Sequence, residues 1–175
     1  MAKKTAHHES ALSLRESEKQ FLAKFFAIFF ALFLLLKAMD VAPVVSSAFE
    51  LVKTGVAATE QALLQGTGFS VSRQGDTLFH GAQAFQIVME CTGLVLVALL
   101  VALLYSTNVK KQRKHRALLI YTPFLLVFNV ARLYATLWTG ITIGIPAMDI
   151  VHPALWIVDS LLVLFLWARA AEIRL

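Results

Sequence analysis

Four apolar runs constrain this chain more than any other feature, because each approaches the length of a bilayer-crossing helix. A hydrocarbon core about 30 Å thick needs about 20 apolar residues in a helix. Inside it every backbone polar group must bond within its own segment or a closed barrel. The runs place spans at about 21–40, 88–107, 117–138 and 153–171. Composition agrees, with 58% hydrophobic residues and a mean hydropathy of +0.71 over 175 residues. A soluble domain carries less apolar surface than that. The expected fold is therefore an all-α integral membrane protein with four transmembrane helices. The first run starts late and lacks a small-residue cleavage site, so it reads as a retained anchor rather than a removed signal peptide.

Lys and Arg give the orientation. Lys3, Lys4, Arg15, Lys19 and Lys24 precede or begin the first span. Lys110, Lys111, Arg113, Lys114 and Arg116 lie between spans two and three, and Arg169 and Arg174 follow the fourth. Twelve of the 16 basic residues thus fall on one side, which is then cytoplasmic, with both termini inside. The net charge of +5 follows from this topology and requires no nucleic acid, although "KKQRKHR" also suits anionic lipid. Residues 1–20 read as a mobile, polar cytoplasmic tail with a helical end. Residues 21–171 read as a single membrane domain, with a basic cytoplasmic loop at 108–116.

The segment 41–90 is left outside. Val44, Ala48, Leu51 and Val52 recur at helical spacing, predicting an amphipathic helix on the outer surface. "GFSVSRQGDTLF" alternates around Gln74-Gly75-Asp76 and predicts a small β-hairpin. "FQIVME" is either a third strand or the start of span two. A second outer stretch, 139–152, contains Gly140, Gly144 and Pro146 and reads as a loop, with Pro153 as the first turn of span four.

Three reactive side chains fall toward the outer ends of three spans. Cys91 is the chain's one cysteine, which excludes an internal disulfide, a CxxC centre and a thiolate zinc cluster. Arg132 lies six residues before Trp138, roughly 9 Å below the end of its helix. His152 stands at the expected start of span four. Each has a plain structural alternative. A lone cysteine is often a small apolar filler. His152 suits an interface, and Arg132 could serve only to pair with Glu90 or Asp159. Yet a guanidinium within a span costs about 2.5–3.5 kcal/mol on insertion scales and is a functional candidate by default. Together the three fit acyl transfer. Cys91 would be the nucleophile, with a cation and a helix start, at Thr92 and Gly93, favouring its thiolate and the oxyanion. Arg132 would stabilise thiolate or oxyanion, and His152 would move the proton. Asn129, one turn before Arg132, would orient it or bond a neighbouring helix. Asp149 and His152 share a helix face, but two ligands do not make a metal site. No metal and no cofactor is expected.

At these residues the chain resembles the exosortase/archaeosortase family of membrane cysteine transpeptidases. The matching pieces are "ECTGL", "FNVARLY" and "DIVHPALW", in that order, and the short length resembles the exosortase H group. The resemblance covers about residues 21–170 and lacks the extra N-terminal spans of larger members. It places Cys91, Arg132 and His152 on the family's Cys, Arg and His positions, and Asn129 on its asparagine. It implies exported protein substrates carrying a C-terminal motif, a transmembrane helix and a basic tail. These would be cut at the outer face of the cytoplasmic membrane through a thioester and transferred to an acceptor, with a membrane lipid or a glycan as the candidates. Two other readings remain open on the residues alone: hydrolysis of the tail without transfer, and a non-enzymatic membrane assembly factor.

Overall fold

The computed structural model describes the backbone of residues 2–41 and 46–172, and the side chains of 17–41 and 47–172. In chain order come α1 (Ala2–Val41), α2 (Ser46–Gly66), β1 (Ser72–Gln74), β2 (Thr77–His80) and β3 (Gln83–Gln86). A 3-10 turn (Met89–Thr92), α3 (Leu94–Ser106), α4 (Lys111–Thr142) and α5 (Ile145–Ala171) follow.

Three of these helices are long and apolar enough to cross a membrane: Ser17–Val41 within α1, α4 and α5. The fourth expected span falls short. Helix α3 has 13 residues, about 20 Å of rise, because the chain breaks at Gly93. Gly93 takes a left-handed φ of 80°, and a Cβ there would meet the Asn129 side chain at 3.0 Å. Only glycine fits both demands. Short as it is, α3 is the most enclosed helix. Leu96, Leu100, Leu103 and Leu104 are buried against Leu125 of α4 and Val163 and Leu166 of α5. On α1, Phe21, Phe25, Phe29 and Phe33 stack one above another, four residues apart, and lie against this core. The outward faces remain apolar: Phe30 and Leu34 on α1, Leu119 and Val127 on α4, and Leu161 on α5 are all exposed. Lipid tails are as apolar as these side chains, so burying them gains little.

Several boundaries differ from the sequence expectation. The tail is not separate from the first span, since α1 runs unbroken from Ala2. Most of the basic loop is the first turns of α4, which begins at Lys111. The stretch 139–152 is not a loop. Helix α4 continues to Thr142, the chain turns at Gly144 (φ 115°), and α5 starts at Ile145. Pro146, not Pro153, occupies the first turn, so His152 and Pro153 lie two turns inside α5. Two prolines at similar spacing from an apolar run are indistinguishable by pattern; the glycine decides.

The outer hairpin is a three-stranded antiparallel meander, β1-β2-β3. Ser72 pairs with Phe79 and Gln74 with Thr77 around the expected Gly75-Asp76 turn, and Leu78 pairs with Phe85. "FQIVME" therefore divides between β3 and the 3-10 turn. Helix α2 forms where an amphipathic helix is expected, but the residues that mark its apolar spacing are not the ones it buries. Val44 lies outside the described residues, and Ala48, Leu51 and Val52 are exposed. The buried stripe is Phe49, Lys53, Ala57, Glu60 and Leu64. It packs with Val71, Leu78, Phe85 and Ile87 of the sheet region and Leu133 and Leu137 of α4. Cys91 belongs to this outer core.

Candidate active site

Cys91 sits in the 3-10 turn that joins the sheet to α3, and is 8% exposed. Its N–H donates to the Val88 carbonyl at 2.9 Å, so that N–H is spent on the turn. The Thr92 hydroxyl donates to the Met89 carbonyl at 2.6 Å and fastens the turn from below. Asn129 of α4 is buried and donates through Nδ2 to the Cys91 carbonyl at 2.7 Å. A neutral–neutral bond this enclosed leaves a costly orphan if either partner is removed. Asn129 thus holds the cysteine's own backbone rather than the arginine, and the missing Cβ of Gly93 lets it approach. Glu90 turns to α1, where it forms an ion pair with Lys37. That pairing gives the acid beside the cysteine a counter-charge away from the thiol.

Arg132 lies one turn beyond Asn129 on the same buried face of α4 and is 4% exposed. Its Nη1 is 3.3 Å from Asp159 Oδ2 of α5, and its guanidinium lies over the Trp156 ring at 5.3 Å. Of the two acids proposed from sequence, Asp159 is the one it meets. Nε and Nη2 of Arg132 have no hydrogen-bond partner among the described residues, although both are buried. The arginine is within electrostatic reach of Cys91, His152 and Glu60.

His152 of α5 receives a hydrogen bond at Nε2 from the indole N–H of Trp156, at 3.2 Å. A neutral imidazole that accepts at Nε2 carries its proton on Nδ1. Trp156 thus touches both the arginine and the histidine. Sequence reasoning passed over it because a tryptophan in an apolar helix carries no distinguishing pattern. Glu60 was also missed, since an acid on a surface-lying helix is expected to face water. It is fully buried, both its oxygens lack a hydrogen-bond partner among the described residues, and burial pushes its carboxyl up to about 8 against the pull of Arg132.

Cys91 and His152 line one cavity of about 290 Å³, between the end of the sheet and the facing parts of α4 and α5. Phe85, Leu133, Leu137 and Met148 make its apolar wall; Gln86, Thr136 and Asp149 are its polar members. Arg132 is not on the wall but behind it. Pro153 also lines the cavity, and lacking an N–H it leaves the Asp149 carbonyl without its helical donor. Gly140 sets the width: a Cβ there would lie 2.9 Å from Met148 Sδ and 3.0 Å from the Phe85 ring. No group of three or more His, Cys, Asp or Glu able to hold a metal ion occurs among the described residues.

No curated protein and no solved structure matches the chain. The family model for transmembrane exosortases matches residues 18–168, nearly the whole sequence. The match takes in α1 from residue 18, α2 and the sheet, the 3-10 turn that carries Cys91, and α4 and α5, which carry Arg132 and His152. This chain belongs to the transmembrane exosortase family.

Proposed function

We propose that the chain is a membrane-embedded cysteine transpeptidase that removes the C-terminal sorting signal of exported proteins at the outer face of the cytoplasmic membrane. The observation that carries this reading is that Cys91 and His152, from separate elements, share one cavity with a buried cation behind it. Family membership supports the reaction class. The fourth crossing would be α3 with the 3-10 turn before it, which places Cys91 near the outer boundary. The basic start of α4 and both chain ends would be cytoplasmic.

The chemistry follows from the groups present. The thiol proton passes to His152 Nε2, which requires the Trp156 bond to release as substrate enters. The thiolate sulfur attacks the scissile carbonyl carbon, and the C=O electron pair moves onto oxygen. The Arg132 charge stabilises both anions, because a guanidinium does not deprotonate. On collapse the C–N bond breaks, the leaving amine takes the proton from His152, and a thioester to Cys91 remains. An acceptor nucleophile then displaces the sulfur. The apolar cavity wall limits water, which would otherwise hydrolyse the thioester. The segment Phe85–Val88 lines the cavity, so the substrate backbone would run beside β3.

Co-expression with a reporter bearing a motif, a transmembrane helix and a basic tail tests this. Cys91→Ala should abolish cleavage at unchanged membrane abundance, read by intact mass. Full processing by Cys91→Ala would sink the reading. A product ending in a bare carboxylate would reduce it to hydrolysis.

A further inference from the structure

We propose that Glu60 is a positioning residue of the cysteine site, a neutral acid whose lack of charge leaves Arg132 able to act on Cys91. The proposal rests on the reading above for what the thiolate does, but its geometry stands apart from it. Glu60 occupies the protein-facing stripe of α2, between Ala57 and Leu64, where the helix packs on α4 and the 3-10 turn. It is fully enclosed, and neither oxygen has a hydrogen-bond partner among the described residues. The other charge on that stripe is treated differently: Lys53 meets Glu50 at 2.5 Å, Asp40 at 3.2 Å and Asp76 at 4.0 Å. An ionised carboxylate without such partners is disfavoured in this setting.

The charges around Glu60 leave its state decisive. Arg132 of α4 and Cys91 of the 3-10 turn lie within its electrostatic reach. On α1, Lys37 is paired with Glu90 and Asp40 with Lys53. In the sheet, Asp76 lies near Lys53, Arg73 donates to the Gly75 carbonyl and His80 bonds the Ser70 carbonyl. Among the described residues Arg132 is the cation left to answer Glu60, and Asp159 already holds it. With Glu60 neutral, one carboxylate balances the guanidinium and a thiolate is the second anion. With Glu60 ionised, the thiolate would be the third. Glu60 is a raised acid, so it is neutral below about 8 and charged above. Its effect on the thiol is therefore absent at neutral pH and suppressive at alkaline pH.

Because Cys91 is the one cysteine, alkylation of the purified full chain by iodoacetamide reads it alone. Rates would be followed from roughly pH 6 to about 10, across the ordinary thiol range. Glu60 charges within or before the range in which the thiol ionises, so the wild-type rise should be shallower and displaced to higher pH. Glu60→Gln should rise at lower pH and exceed wild type several-fold on the alkaline side, up to about tenfold for one unit of thiol shift. Glu60→Asp should keep the wild-type profile. Superimposable wild-type and Glu60→Gln profiles would overturn the proposal. Should Glu60→Gln fail to fold, Glu60→Met serves the same comparison, and a profile superimposable on wild type would overturn the proposal equally. Alkylation needs no substrate, so a chain that processed nothing could still show the shift; failure of the one reading is distinct from failure of the other.

Discussion

At the residue scale, Arg132 is the costliest commitment in the molecule. A buried guanidinium is tolerated here because Asp159 and Trp156 both meet it from α5. Removing one member of such a pair leaves an uncompensated charge and typically costs 3–5 kcal/mol, more than the pair contributes over an apolar replacement. Arg132→Met should therefore destabilise the chain by about 3–5 kcal/mol in thermal unfolding in detergent. Arg132→Met with Asp159→Leu should recover most of that loss while remaining inactive in substrate processing. Equal destabilisation of the single and double variants would show that the pairing is not what holds the arginine. Arg132 and Asp159 were legible as a possible pair from sequence, because ionisable residues in spans are rare. Glu60 and Trp156 were not, because their significance depends on what faces them.

At the element scale, the site is held by breaks in regular structure. The 3-10 turn ends at Gly93, α4 gives way to α5 at Gly144, and Gly140 lets α5 and β3 close on α4. Gly140→Ala should push Met148 or Phe85 into the cavity. Overpacking of this kind costs about 1–3 kcal/mol. The expected result is reduced processing of a bulky substrate segment, with Cys91 alkylation by small reagents retained. Unchanged processing kinetics would mean that the cavity does not take substrate. The helices themselves were readable from apolar runs, but their ends were not. Pro153 reads as the start of the last span, whereas α5 begins at Ile145 with Pro146 in its first turn, and the apolar residues that mark α2 in the sequence are not the ones it buries. Periodicity locates an apolar face without saying whether protein or lipid covers it.

At the scale of the whole molecule, the described helices form a bundle under an outer layer of α2 and the three-stranded sheet. The cavity lies where the layer meets the bundle. Charge placement argues that this layer is outside. A reporter active only in the cytoplasm should work when fused after residue 175 and fail when inserted at the Gly75-Asp76 turn; the reverse pattern would invert the topology. Such an insertion site suits the test because a hairpin turn tolerates added chain better than a helix does.

The sequence by itself determined that the chain enters a membrane, that its cations cluster beside the apolar runs, and the identity and order of Cys91, Arg132 and His152. These follow from local quantities: run length, charge bias and short motifs. The tertiary structure alone decided that Asn129 grips the Cys91 backbone, that Asp159 and not Glu90 answers Arg132, and that His152 sits within a helix, bonded to Trp156. It also decided that Glu60 is buried without a hydrogen-bond partner among the described residues. Each of these depends on which faces of separate helices meet, and that is fixed by packing and by the desolvation of polar groups, neither of which is written in any single segment.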